Sequence, residues 1–225
     1  MTKKQSAILW DLDNTLIPSS RITQKVLEDL FPEFNLTPPT RKQLQKNFSG
    51  TLEEFLRYHS NDHPEHPEIT KRFKEAQQAH YAEIMLFEGI IEVIEELSRQ
   101  GFKHAIVTSR GTVGRGAAGT HEIIKRSGLE KHIDVVICAD DVTNHKPHPE
   151  PLLLALEKLE VHPEQAIMIG DQIVDMQAAK SAQTYAVGID HDNSHAIASS
   201  LIVAGADEVV NNPHAIVPIA IKLVS

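Results

Sequence analysis

The segment Asp11-Leu12-Asp13-Asn14-Thr15 sets two carboxylates two positions apart. Where such a segment closes a strand, alternation sends both acids to one side and Leu12 to the other. Two carboxylates side by side repel unless a cation or a shared proton relieves them. Alone, the pair fits a solvated turn or a helix cap equally well. Further polar groups follow other apolar runs, however: Thr108-Ser109-Arg110 after Lys103–Val107, and Gly170-Asp171 after Gln165–Ile169, with Asp175 four residues on. Asp171 and Asp175 come near one another if a helix begins between them. Lys146 lies between these groups in His145-Lys146-Pro147-His148-Pro149. Carboxylates with open positions suit Mg2+, which takes oxygen ligands and keeps several waters. Such a cation beside a hydroxyl and a lysine is a place for a phosphoryl group.

Positioning these groups requires strands that end together. Ala7–Asp11, Lys103–Thr108, Asp134–Cys138, Gln165–Gly170, Thr184–Ile189 and, more weakly, Asp207–Val210 are short apolar runs typical of buried parallel strands. Helical patterns separate them at Gly89–Gln100, Thr120–Ser127, Pro149–Glu160, Ile173–Ala182, His195–Ala204 and Pro213–Val224. The alternation predicts a Rossmann-like, three-layer α/β/α core on a parallel sheet, with ligands beyond the carboxyl ends of its strands.

Residues 16–87 interrupt it. They show no convincing strand, but amphipathic patterns at Arg21–Leu30, Thr40–Phe48, Leu52–Tyr58 and Ile69–Met85. They also hold eight of the eleven aromatics and a near-even balance of nine Lys/Arg to ten Asp/Glu, against thirteen to twenty-one elsewhere. The shift in composition predicts an α-helical cap domain, 16–87, inserted into a core of 1–15 and 88–225.

Composition mostly excludes. The 225 residues are 41% apolar and 24% charged, as in globular proteins. A net charge of −9 argues against nucleic acid, whose phosphates need clustered cations. No apolar run spans a membrane, Met1–Ser6 has no secretory-leader pattern, and the lone Cys138 has no internal partner, so a cytoplasmic location is expected. Oligomeric state is left open.

Asp11-Leu12-Asp13-Asn14-Thr15, Thr108, Lys146-Pro147 and Gly170-Asp171-Gln172-Ile173-Val174-Asp175 resemble, in order, the four motifs of the haloacid dehalogenase-like superfamily, and above all its phosphoglycolate phosphatase-like branch. The resemblance implies a Mg2+-dependent phosphatase acting on a small phosphorylated metabolite. Asp11 would be the nucleophile that becomes an aspartyl-phosphate. Asp13 would protonate the leaving group and then deprotonate water. Thr108 would bind a phosphoryl oxygen and Lys146 would neutralise charge. Asp11, the Asp13 carbonyl and Asp171 would hold Mg2+, with Asp175 behind them. The presence of Asp13 also disfavours carbon–halogen chemistry. Asn14, where the branch more often has Gly, tolerates a left-handed turn.

Other readings are less specific. Ser109, Arg110 and Arg115, the last two within the glycine-rich stretch Arg110–Gly119, are candidates for a second anionic group of the substrate, as is Gly50 for close approach of a cap loop. The same stretch also reads as a surface insertion, and the segment around Gly50 as a plain turn. His59, His63 and His66 read as a solvated, proline-broken loop rather than a metal site. Trp10 and Cys138 read as core. A phosphomutase of the same superfamily and a non-catalytic phosphoacceptor module are the rival functions. Phosphoglycolate, a sugar phosphate, a nucleoside monophosphate and a pyrophosphate-like compound all fit the motifs.

Overall fold

The computed structural model describes residues 5–44, 52–111 and 119–224. They fall into two compact units, one within Met1–Ile17, Met85–Gly114 and Gly119–Ser225, the other within Pro18–Ile84.

The first unit carries a parallel sheet of six strands among the described residues: β1 (Ser6–Trp10), β2 (Phe102–Val107), β3 (Val135–Ile137), β4 (Ala166–Gly170), β5 (Tyr185–Ile189) and β6 (Glu208–Val210). Their order is β3-β2-β1-β4-β5-β6. The chain reverses direction across the sheet between β1 and β4, so a crevice opens beyond their carboxyl ends. Register is fixed by burial on both faces: Leu9 pairs with Ala105 on β2 and with Met168 on β4.

Ala7, Leu9, Ala105, Val107, Ala166 and Met168 face one helical layer, formed by α7 (Glu150–Leu159), α8 (Ile173–Ala182) and α9 (His195–Val203). Ile8, Trp10, Ile106, Ile167 and Ile169 alternate with them and are equally buried. Helix α5 (Ile90–Arg99) packs on β2 and α10 (Ile216–Val224) on α5; α6 (Thr120–Arg126) buries Ile123 and Ile124. The unit is a Rossmann-like α/β fold.

The second unit is helical: α1 (Ser19–Leu30), α2 (Arg41–Leu44), α3 (Leu52–His59) and α4 (His66–Ala82). Val26, Leu27 and Leu30 of α1, Leu56 of α3 and Ile69 and Phe73 of α4 form its core with Phe31 and Phe34. Arg72 forks onto both Glu33 oxygens at 2.9 and 2.8 Å.

Two expectations are corrected here. Helix α4 starts at His66, not Ile69, because Pro67 occupies its first turn, where an amide N–H would have no helical partner. The loop before it is shorter than Tyr58–Pro67, and His66 is buried with its ring 3.4 Å from the Thr70 hydroxyl, not solvated. Of the helix expected over Thr40–Phe48, only Arg41–Leu44 lies among the described residues.

Candidate active site

Asp11 follows the last residue of β1, and its amide still donates to Ile169 O on β4 at 2.8 Å. It therefore inherits the rigidity of the sheet's central pair. The chain then turns tightly. Asn14 is left-handed, with φ of 57°, and its amide donates to Ile17 O at 2.7 Å. The Leu16 and Ile17 amides both return to Leu12 O, and Leu12 is fully buried. An asparagine supplies the turn that a glycine would otherwise have to make.

Lys146 reaches Asp11 from the loop ahead of α7. Its Nζ donates to Asp11 Oδ1 at 2.7 Å, to Asp175 Oδ1 at 2.6 Å and to Val107 O at 3.1 Å. All three donors of the ammonium are used, and the side chain is only 3% exposed. Glu150, on the first turn of α7, holds that loop by accepting from the amides of Thr143 and Asn144 and from Asn144 Nδ2.

Asp175 sits in the first turn of α8. Its Oδ2 accepts from the Gln172 amide at 3.0 Å, closing a capping box, while Oδ1 takes Lys146. Gly170 makes room for it: a Cβ there would collide with the Asp175 carboxylate. Asp171 lies between, partly buried, with the Thr15 hydroxyl 3.4 Å from its Oδ1.

Thr108 is buried at the end of β2, and its Oγ1 accepts from the Arg110 amide at 3.2 Å. Ser109 beside it is exposed. The Arg110 side chain, expected to face the substrate, instead donates from Nε to Asp13 Oδ2 at 2.6 Å. Gly50 and Arg115 lie outside the described residues.

Burial and charge act together on these acids. Desolvation pushes the Asp11 carboxyl up to about 7, opposed by Lys146 and assisted by the charges of Asp175 and Asp13. Burial, then the charges of Asp11, Asp175 and Asp13, hold Asp171 well above its ordinary range. For Lys146, burial works against the charged form, but Asp11 and Asp175 outweigh it and keep the ammonium above lysine's usual value.

Oxygens of Asp11, Asp171 and Asp175 lie within 4.8 Å of one another. This donor set fits a hard divalent cation: three carboxylates close together carry more negative charge than Lys146 alone offsets. Both Asp175 oxygens already accept bonds from the protein, which leaves Asp11 and Asp171 as the acids freer to bind.

Three contributors escape a reading of motifs. Thr15 stands within the first motif, but its bond to Asp171 spans 156 residues. His191, just past β5, places Nε2 2.9 Å from Thr15 O and stacks on Phe87 with ring centroids 3.5 Å apart. Glu150 carries no signal beyond its place near the start of a helix.

The sequence profile described as haloacid dehalogenase-like hydrolase matches residues 8–189. The chain belongs to this family. Pyrophosphatase PpaX of Listeria monocytogenes is 33% identical over 193 residues, covering 84% of this chain and 85% of that protein. The Pyrophosphatase PpaX of Bacillus mycoides is 31% identical over 203 residues, 83% and 84% of the two chains. Among solved structures, a Thermotoga maritima protein assigned as a beta-phosphoglucomutase superposes with a TM-score of 0.80 at 25% identity, over 97% of this chain and 99% of its own. This haloacid dehalogenase-like hydrolase is thus an enzyme, which sets the non-catalytic module aside.

Proposed function

We propose that the enzyme is a Mg2+-dependent phosphatase that hydrolyses a small phosphate monoester or phosphoanhydride through an aspartyl-phosphate on Asp11. The observation that carries this reading is the Asp11 carboxylate, held by Lys146 with acids of β4 and α8 close by. A carboxylate fixed by an ammonium presents its other oxygen in a set direction, the requirement for in-line attack on phosphorus. Asp11 and Asp171, with the Asp13 carbonyl, would hold Mg2+, which when bound supplies charge neutralisation for the phosphoryl oxygens. Lys146 favours the ionised form of Asp11 and offsets charge on the transferring group, and Thr108 offers a hydroxyl to one of its oxygens. Asp13 gives a proton to the leaving oxygen and later takes one from the attacking water. Asp175 keeps Lys146 in place. The helical unit within Pro18–Ile84 would recognise the leaving group.

A phosphoanhydride is the first substrate to try, because the relatives from Listeria and Bacillus carry the name pyrophosphatase. The Thermotoga neighbour keeps the phosphomutase as the second reading. Phosphate release should be measured with Mg2+ from pyrophosphate, p-nitrophenyl phosphate and a panel of phosphorylated metabolites, ranked by kcat/KM. Asp11→Asn is expected to abolish turnover on every one of them. Unchanged turnover in that variant would overturn the aspartyl-phosphate, and a sugar phosphate isomerised without release would favour the mutase.

A further inference from the structure

From the bond between Arg110 and Asp13 we infer that Arg110 is a positioning residue for the acid–base step, and that it assigns the proton transfer to Asp13 Oδ1. The inference rests on the role proposed above for Asp13. Its Oδ2 accepts a short, charge-assisted bond from Arg110 Nε at 2.6 Å, across 97 residues of chain. A guanidinium keeps its protons, so an oxygen that accepts from one is not the oxygen that hands a proton to substrate. Asp13 Oδ1 is buried and has no hydrogen-bond partner among the described residues. A buried acceptor left open in this way calls for a specific explanation, and a catalytic role is one. Asp13 stands two residues past Asp11, on the tight turn that follows β1.

Arg110 is itself well anchored. Its amide donates to Thr108 Oγ1, and its carbonyl accepts from the Ala139 amide at 2.8 Å. The strand ends of β2 and β3 therefore aim Asp13 through one side chain. In the first step an Asp11 oxygen forms a bond to phosphorus as the bond between phosphorus and the leaving oxygen breaks, its electron pair stays on the leaving oxygen, and the proton of Asp13 Oδ1 joins it. In the second, water adds to phosphorus and loses a proton to Oδ1, while the bond to Asp11 breaks with its pair returning to the Asp11 carboxylate. Arg110 keeps Oδ2 occupied throughout, so the same oxygen serves both steps.

The test uses the full chain with Mg2+ and a series of aryl and alkyl phosphates whose leaving groups differ in basicity. The kcat/KM value reads the steps up to phosphoenzyme formation, where proton donation matters most for basic leaving groups. Arg110→Met should lower kcat/KM about 10²-fold on alkyl phosphates, at the lower end of the range for general acid catalysis, and much less on p-nitrophenyl phosphate. Arg110→Lys should recover part of the loss, and it carries the comparison if the Met variant does not fold. Adding Arg110→Met to Asp13→Asn should cost little beyond Asp13→Asn alone, since both act on one proton. Equal losses across all leaving groups, or additive losses in the double variant, would overturn the inference. So would a rise in KM restricted to substrates with a second anionic group, which would make Arg110 a substrate ligand. Turnover surviving Asp11→Asn would instead remove the parent reading.

Discussion

A lysine with three bonds and no exposed surface to spare is an unusual concentration of function in one side chain. Lys146 separates Asp11 from Asp175 and joins both to the β2 backbone. Removing it leaves two buried carboxylates facing each other without their cation. Lys146→Met should therefore destabilise the metal-free protein by about 3–5 kcal/mol, as for other broken buried ion pairs. It should also lower kcat by about 10²-fold or more through lost charge stabilisation. Urea unfolding at neutral pH measures the first effect and phosphate release the second. The Lys146→Met/Asp175→Asn double variant should regain most of the stability and little of the activity. A single variant as stable as the parent would mean that the acids do not depend on this lysine.

At this scale much of the site is legible in the sequence. Asp11, Thr108 and Asp171 close apolar runs, and parallel strands bring such ends together without any knowledge of contacts. Arg110 is found among the candidate residues but not with its partner, because a guanidinium on a long, flexible tether reaches acids and substrates alike. Thr15 and His191 are harder still. Their bonds link positions 156 and 176 residues apart, and nothing local to either residue marks its partner.

The strands and helices follow their apolar periods closely, and the departures have local causes. Pro67 reads as a breaker until its position is known: at the first turn of α4 it is compatible with the helix. His66 then turns inward, where loop composition alone suggests water. Strand β2 conceals a different group. His104 is buried, accepts from Trp10 Nε1–H at 3.1 Å, and is pushed by burial down to about 4, with Asp134 opposing and His132 assisting. The folded protein keeps this imidazole neutral while the unfolded chain protonates it near its ordinary 6.5. Stability from His104 is therefore full above about 6.5 and is lost as pH falls toward about 4, by on the order of 3 kcal/mol across that window. His104→Asn, which retains an acceptor for Trp10, should flatten the fall in thermal stability between those values. An unchanged slope would show that other groups govern acid unfolding.

For the whole molecule, net charge turns out to be a poor guide to ligand sign. The stretch 16–87 is nearly neutral and the rest is strongly acidic, yet the acids gathered beyond β1 and β4 could hold a cation, and the proposed reaction brings an anion to it. Cation binding to the folded state alone must raise its stability by mass action, by about 2.7 kcal/mol at a hundredfold excess over Kd. Mg2+ should accordingly raise the unfolding temperature. Asp171→Asn should remove most of that rise, and the same rise in this variant would place the cation elsewhere.

The sheet order bears on how the enzyme comes into being. β1 precedes every other strand in the chain, yet it lies between β2 and β4, and Leu9 meets its second neighbour only at Met168. Pairings across such separations are slow, because the entropy of closing the intervening chain is spent before the ladder returns anything. β1 is thus synthesised first and completed late. Asp11, whose amide bond to Ile169 depends on β4, reaches its working surroundings only when the centre of the sheet has closed. Recovery of phosphate release during refolding would then time the closure of the sheet's centre, a moment that helix formation measured by circular dichroism should precede.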